Sequence, residues 1–443
     1  MYANKKAYIC RNQYTNTMRK LYLLPLLCLL LGACSDDKDE QPIFVTNVTM
    51  PNADTIFKPG DAVTIKAEGF LEDDQLIFEI RWPLPDEPIQ EGYSLGEHAV
   101  ITERTATSIT FLAPGHYPAS TVTILLDRAS EYMSLGKISV SDGQSPKEPQ
   151  LYGITNSRST AIHPYGIERI NLTNGQATKV VELSKGQDFS LAACPSGRWR
   201  LCGILKQGDE YSTSYFDLSI NYWKNTRIGR SVTLCVSDVN LLAVKQADEK
   251  HIILDNISDT FYTRNSPIPT PPLFQLPDGM KPEDLSCYPG VYDIQGGVLL
   301  SADNGNGTFS PVVLNPLSHE HNIEVYDPIQ ATALIPFWMV VPVKDTGTTK
   351  YMRVGGYAIA KESGTELCLF DTPTMTLKEP FATLPGQAIS IAPLMQDTKA
   401  QLLYVLFKTN QGERSIGKYD LLKKEWEQLP NSGFPYAEIV LTK

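Results

Sequence analysis

The sequence predicts an all-β protein, with an N-terminal immunoglobulin-like β-sandwich followed by a six-bladed β-propeller closed by the C-terminal strand. Three observations lead there. Residues 43–142 alternate apolar and polar side chains in short runs separated by Pro/Gly turns, the period of half-buried strands. Beyond residue 150, an apolar or aromatic residue followed by Asp or Asn recurs at 171, 217, 255, 315, 371 and 420, spaced 46, 38, 60, 56 and 49 residues apart. A period near 40–50 residues with four strands per unit belongs to propeller blades, which bury their faces only by packing radially on one another. The first unit lacks an innermost strand, and the chain ends one strand too late, at Tyr436–Leu441. The last strand is therefore expected to complete the first blade.

The chain opens on a different chemistry. Met18-Arg19-Lys20 precedes an apolar run from Leu21 to Leu31 and then Gly32-Ala33-Cys34. A basic start, a short apolar run and small residues before the cut define a secretory signal over residues 1–33, with Met18 the better start. The run is too short to span a bilayer, which takes about 20 residues. Leu31-Gly32-Ala33-Cys34 resembles a bacterial lipobox. That resemblance implies cleavage after Ala33, lipid attachment at Cys34 and a membrane link through the lipid anchor alone. Residues 34–42 then form an acidic tether, and Ser35-Asp36-Asp37-Lys38-Asp39-Glu40 is too charged to bury itself. It resembles the surface-export signal of Bacteroidetes lipoproteins, which implies an outer-membrane lipoprotein facing the cell exterior.

In the sandwich, strands are expected at Val63–Ala67, Leu76–Trp82, Ser108–Phe111 and Thr121–Leu126, about seven in all over residues 43–142. Trp82 is assigned to the core. Phe57 through Phe70, containing Lys58-Pro59-Gly60-Asp61, resembles the opening of IPT/TIG domains, and Thr107 through Pro114 their later strand. The resemblance implies a spacer that lifts the next module off the membrane. Residues 143–150, with two prolines, form a linker to the propeller at 151–443.

Strand order is readable in the second blade: Phe189–Ala193 innermost, then Arg198–Leu205, Ser214–Leu218 and, outermost, Tyr222–Lys224. Trp223 and Trp426 each lie six residues after their repeat Asp. Equivalent positions make them blade-packing residues and make the recurring Asp a turn residue between third and fourth strands. Ser301 through Phe309 resembles the Asp-box of sialidase-type propellers with one residue inserted, which implies a hairpin and no catalysis. Cys202, Cys235 and Cys368 lie in apolar runs and read as buried thiols.

Charge excludes one class of partner. The formal net charge is -11, yet the first 33 residues hold five basic side chains and no acid, leaving 34 basic against 50 acidic residues. Such a chain repels a phosphate backbone, so nucleic acid is not an expected partner. No P-loop, GxSxG, HExxH, GxGxxG or CxxC pattern occurs. His319-Glu320-His321 has a metal-like spacing but no second ligand cluster near it, so no metal and no cofactor is expected.

What remains is a propeller surface. Ligands in this fold usually meet the end bearing the turns between second and third strands and the connections between blades. Arg158, Tyr211 and the turn at Asp303 are expected there. Tyr288, at the end of the long segment from Asn265, and Trp338 are added as aromatic candidates, since ring faces stack on sugars. The expected function is non-catalytic binding of a glycan or peptide in a nutrient-uptake system, alongside an outer-membrane transporter complex. Alternatives are an adhesion or structural protein docking a protein partner, and a propeller glycosidase or lyase.

Overall fold

The computed structural model describes residues 44–80, 95–115, 120–129, 131–141, 148–194, 200–225, 231–236, 241–256, 272–292, 297–315, 322–345, 348–396 and 400–442. Cys34, the signal and tether, Trp82 and His319–His321 lie outside these residues.

The first domain is a two-sheet sandwich. Its strands are β1 (Thr46–Thr49), β2 (Ile56–Phe57), β3 (Ala62–Glu68), β4 (Gln75–Ile80), β5 (Leu95–His98), β6 (Ile101–Thr105), β7 (Ser108–Leu112), β8 (Ser120–Arg128) and β9 (Glu131–Val140). They form sheets ordered β1-β3-β7-β6 and β2-β9-β8-β4-β5. Among the described residues nine strand segments stand where about seven were expected from sequence. β3 shows how alternation does this: Val63, Ile65 and Ala67 point inward while the residues between them face solvent. They meet Leu76, Ile109, Phe111, Val122, Ile124 and Leu126 in one core. At its edge the buried Asp74 carboxylate takes two hydrogen bonds from Arg128, at 2.7 and 2.8 Å.

The second domain is a ring of six blades among the described residues. Blade one holds β10 (Gln150–Thr155), β11 (Gly166–Ile170) and β12 (Ala177–Glu182). Blade two follows with β13 (Gln187–Ala193), β14 (Arg200–Gln207), β15 (Glu210–Asp217) and β16 (Tyr222–Asn225). Blade three holds β17 (Ser231–Val236), β18 (Leu241–Gln246), β19 (His251–Asn256) and β20 (Leu273–Gln275). Blade four holds β21 (Gly290–Tyr292), β22 (Val298–Asp303), β23 (Thr308–Asn315) and β24 (Asn322–Val325), with β25 (Ile329–Gln330) also on β23. Blade five is β26 (Ala333–Asp345), β27 (Thr348–Lys361) and β28 (Gly364–Asp371). Both β29 (Thr376–Leu377) and β30 (Ala382–Leu384) pair with β28. Blade six is β31 (Gln387–Gln396), β32 (Ala400–Lys408), β33 (Arg414–Asp420) and β34 (Glu425–Ser432).

The last strand, β35 (Glu438–Thr442), pairs antiparallel with β10, placing Leu441 opposite Leu151 and Ile439 opposite Gly153. It is the innermost strand of blade one, as the sequence implied. Inner strands β13, β17, β21, β26, β31 and β35 neighbour one another around the whole ring. Closure this way ties the first strand of the propeller to its last and pairs two strand edges that would otherwise be exposed. Gly153 permits it: any side chain there would collide with the Tyr436 ring, which is fully buried just before β35. One departure from the regular pattern is a short parallel pairing of β17 with β21 through Cys235–Gly290 and Val236–Val291.

The repeat residues hold the blades together. Trp223 sits opposite Phe216 and packs on Phe189 and Phe216, with ring centroids at 4.9 and 5.1 Å. Trp426 occupies the matching place opposite Tyr419 and packs edge-on against Phe407. Asn171 accepts the amides of Thr173 and Asn174, Asp217 that of Ser219, and Asp420 those of Leu422 and Lys423. These are turns between third and fourth strands.

The two domains meet at such a turn. Ser219 and Ile220 of blade two lie against Gly60 and Gly115 of the sandwich, and the Lys224 ammonium donates to the His98 carbonyl at 2.5 Å. Because β15 runs from the β14–β15 turn to this one, the sandwich rests on the opposite end of the blade from the second-to-third-strand turns.

Candidate functional site

One end of the ring gathers the turns between second and third strands and the connections that lead into inner strands. Here the loop between β10 and β11 rises from blade one. Its base is stitched down by short polar residues: Ser157 donates its amide and hydroxyl to Asp188, at 3.0 and 2.6 Å, and the Ser159 hydroxyl donates to the Asn156 carbonyl. These anchors hold Arg158 at the rim, its side chain 42% exposed.

Arg158 makes two unlike contacts. One guanidinium nitrogen pairs with Glu438, the first residue of β35. The other donates at 2.9 Å to the backbone carbonyl of Cys287, in the segment leading into blade four. Blade four is three blades away around a ring of six, so this side chain reaches across the axis.

Glu438 is buried and fully engaged. It accepts the backbone amides of Leu191 and Ala192 at 3.0 and 2.8 Å, and the Asn156 amide nitrogen at 3.3 Å, besides Arg158. Leu191 adopts a left-handed backbone, φ 53°, within a bulge of β13. That bulge turns two successive N–H groups toward one point, a concave anion cradle built from the backbone.

The facing wall comes from the blade-four approach. A one-turn 3-10 helix, Pro282–Leu285, seats Leu285 in the core shared by blades three and four. Cys287 and Tyr288 follow, with the Tyr288 carbonyl held by the Thr233 hydroxyl at 2.9 Å. Tyr288 packs its ring on the core of blades five and six. Its hydroxyl lies within the fields of Cys287, Arg158, Asp303 and Glu438. Burial first, then Cys287, pushes its pKa well above the usual phenol value, against the pull of Arg158. It stays neutral at physiological pH. Burial likewise pushes the Cys287 thiol up to about 11, so it is not an activated nucleophile.

Asp303 ends β22 beside this wall. Its carboxylate accepts the Gly305 amide at 2.8 Å, while Asn306 accepts the amide and hydroxyl of Thr308. Gly305 and Gly307, both at φ near 77°, complete a tight hairpin. The Asp-box-like segment therefore shapes a turn at the rim.

Of the residues singled out by sequence, Arg158, Tyr288 and Asp303 converge. Tyr211 and Trp338 are engaged elsewhere. Tyr211 begins the third strand of blade two, with the Lys206 ammonium 5.3 Å from its ring centroid. Trp338, in β26, carries the Arg353 guanidinium 3.7 Å over its ring and packs into the cores on both sides of blade five. One ring face is thus already covered.

Sequence reasoning missed Glu438 and Arg414. Arg414 starts β33 of blade six and donates to the carbonyls of Tyr436 and Arg158, the latter at 3.2 Å. Burial alone lowers its pKa. Neither residue lies in a motif; only closure of the ring brings residue 438 beside 158 and 191. Among the described residues no group of three or more His, Cys, Asp or Glu is arranged to hold a metal ion.

The end-to-end architecture matches one family. Residues 151–442 match the DUF4784 WD40-like domain and residues 42–148 the DUF4784 N-terminal Ig-like domain. The chain belongs to the DUF4784 family. A crystal structure of a DUF4784 family protein from Bacteroides caccae is 29% identical, with a TM-score of 0.65, covering 91% of this chain and 100% of that one. TolB from Acinetobacter baumannii is 10% identical, with a TM-score of 0.41, over 74% of this chain and 81% of its own. No curated protein matches the chain. The Ig-like and WD40-like modules are thus those of the DUF4784 family.

Proposed function

We propose that this DUF4784 protein is a lipid-anchored protein of the outer-membrane surface whose propeller mouth binds a glycan without transforming it. The observation that carries the reading is the convergence of Arg158, Tyr288 and Asp303, from three parts of the ring, on the end turned away from the sandwich. A guanidinium, a neutral phenol and a carboxylate beside an aromatic face make the mixture of donors and acceptors that a polyhydroxylated ligand requires. Binding rather than turnover is favoured by the state of the carboxylate at the centre. A glycosidase needs two carboxyl groups free to exchange protons with the substrate, whereas Glu438 spends its oxygens on two backbone amides, Asn156 and Arg158.

The anchor reading rests on Leu31-Gly32-Ala33-Cys34 and the acidic residues after it. A sandwich at the anchored end, touching the ring opposite the mouth, fits a spacer that presents the mouth outward. A nutrient-uptake complex containing an outer-membrane transporter is the setting this arrangement suits.

Two measurements test the reading. Titration calorimetry of the purified protein against a panel of soluble glycans should give saturable binding with no new product by chromatography, weakened by Tyr288→Ala. Product release from any glycan would replace the binding reading with the enzymatic one, and absence of binding across the panel would end it. Labelled palmitate should enter the wild type and not Cys34→Ala, and external protease should cleave the protein on intact cells; failure of either removes the surface-anchor assignment.

A further inference from the structure

The mouth contains two guanidinium groups and a shortage of carboxylates in contact with them. Arg158 pairs with Glu438 but gives its second nitrogen to a backbone carbonyl, that of Cys287. Arg414 contacts only carbonyls, those of Tyr436 and Arg158, and no ion pair with a carboxylate is found for it among the described residues. The two are physically linked, since Arg414 donates to the backbone of Arg158 itself. Glu438, the one carboxylate in contact with either among the described residues, is shared with two amides and Asn156. The acids nearest the two guanidinium groups accept other donors: Asp188 the amide and hydroxyl of Ser157, Asp303 the Gly305 amide, Asp284 the Lys281 amide and Glu413, beside Arg414, the Ser432 hydroxyl at 3.3 Å.

A neutral carbonyl is a weak partner for a guanidinium compared with a carboxylate, which can take two parallel N–H donors and forms the stronger, charge-assisted bond. From this we infer that the bound glycan is acidic, and that a uronate carboxylate of the ligand binds at the seam of blades one and six. There it takes the N–H groups of Arg158 and Arg414 that now face carbonyls or solvent. Arg158 exchanges its Cys287 partner for the ligand and keeps Glu438. Burial of Arg414, which already disfavours an uncompensated charge there, is relieved by the same contact. Recognition is by contact and not by long-range attraction, because the chain as a whole is strongly acidic and fields from distant charges are screened within about 8 Å at physiological salt.

This inference rests on the glycan-binding reading, and the experiment separates the two. Titration calorimetry compares a uronic-acid oligosaccharide with the same oligosaccharide after its carboxylates are reduced to alcohols. The acidic form should bind about tenfold or more tightly, as expected for gain of a charge-assisted bidentate contact. Equal or tighter binding of the reduced form overturns the inference and leaves glycan binding standing; binding of neither form overturns both. Arg414→Gln should reduce the preference for the acidic form toward unity, with Arg414→Lys retaining part of it. The comparison of ligands on the wild-type protein needs no variant, so it decides the matter even where Arg414→Gln loosens the seam. A preference that survives both Arg414→Gln and Arg158→Gln, with melting temperatures unchanged, would also overturn it.

Discussion

Leu191 donates its backbone amide to the Glu438 carboxylate at 3.0 Å, from a left-handed conformation that a branched side chain rarely adopts. The two residues are 247 positions apart, one on the inner strand of blade two and the other opening the strand that closes blade one. A non-glycine residue held at positive φ costs roughly 1–3 kcal/mol and persists only where its surroundings over-determine it. Here the compensation is visible: the bulge presents two N–H groups to one buried carboxylate, which also receives Asn156 and Arg158.

Glu438→Gln should therefore loosen ring closure. An amide in that place offers one oxygen to two N–H donors and turns its own NH2 against the other. We expect a loss of about 2–3 kcal/mol in stability, read by urea unfolding, with cleavage near the C-terminus in limited proteolysis. An unchanged midpoint would mean that the Leu191 bulge stands without its anion.

The joint between domains depends on the absence of side chains. A Cβ at Gly115 would collide with the Ser219 hydroxyl, and Gly60 at φ 81° packs on Ile220. Gly115→Val should cost about 1–3 kcal/mol through overpacking and separate the melting of sandwich and propeller in calorimetry. A single transition at the wild-type temperature would show that the joint carries no energy.

Asp74 supplies a pH dependence whose sign is fixed. Burial raises its pKa, but hydrogen bonds from Arg128 and the Leu71 amide and the charges of Arg128 and Arg104 outweigh that, leaving it below the ordinary value. A carboxylate with a depressed folded pKa contributes stability that is complete above its unfolded pKa, about 3.9, and is lost as pH falls through the folded value. The sandwich should accordingly melt at falling temperature below about pH 4. Asp74→Asn should flatten that slope and cost about 3 kcal/mol at neutral pH by stranding Arg128. A slope as steep in the variant would place the acid sensitivity elsewhere.

The cysteines should be inert while the protein is folded. None of Cys194, Cys202, Cys235, Cys287 and Cys368 forms a disulfide, and burial pushes the Cys287 and Cys368 thiols up to about 11 and the Cys235 thiol higher still. Thiolate is the reactive species, so a disulfide reagent at pH 8 should modify these five slowly in native protein and fully in guanidinium. Fast modification of Cys235 in the native state would contradict its burial in the blade-three core.

How far the sequence reaches can be judged residue by residue. Strand alternation located β3, β7 and β8, and the Asp repeat located the blades, because periodicity and turn chemistry are local properties written in neighbouring residues. Trp223 and Trp426 were legible as packing residues for the same reason: equivalent offsets from the repeat Asp give equivalent environments. Even the closing strand was legible, through what the first unit lacked. Arg158, Tyr211 and Asp303 could be assigned to one end of the ring from strand order, whereas Tyr288 entered only as an aromatic candidate.

The convergence of Arg158, Tyr288 and Asp303 could not be read this way. Arg158 reaches Cys287 across 129 residues and Glu438 across 280, and no local pattern encodes such distances. Nothing in the residues around Trp338 announces that Arg353 will cover its ring, nor those around Glu438 that a bulge in another blade will receive it. Local pattern was enough to specify the strands, their grouping into a sandwich and six blades, and the strand that closes the ring. The tertiary structure decided which side chains meet at the mouth, because ring closure juxtaposes loops whose only relation is the angle at which each blade is set around the axis.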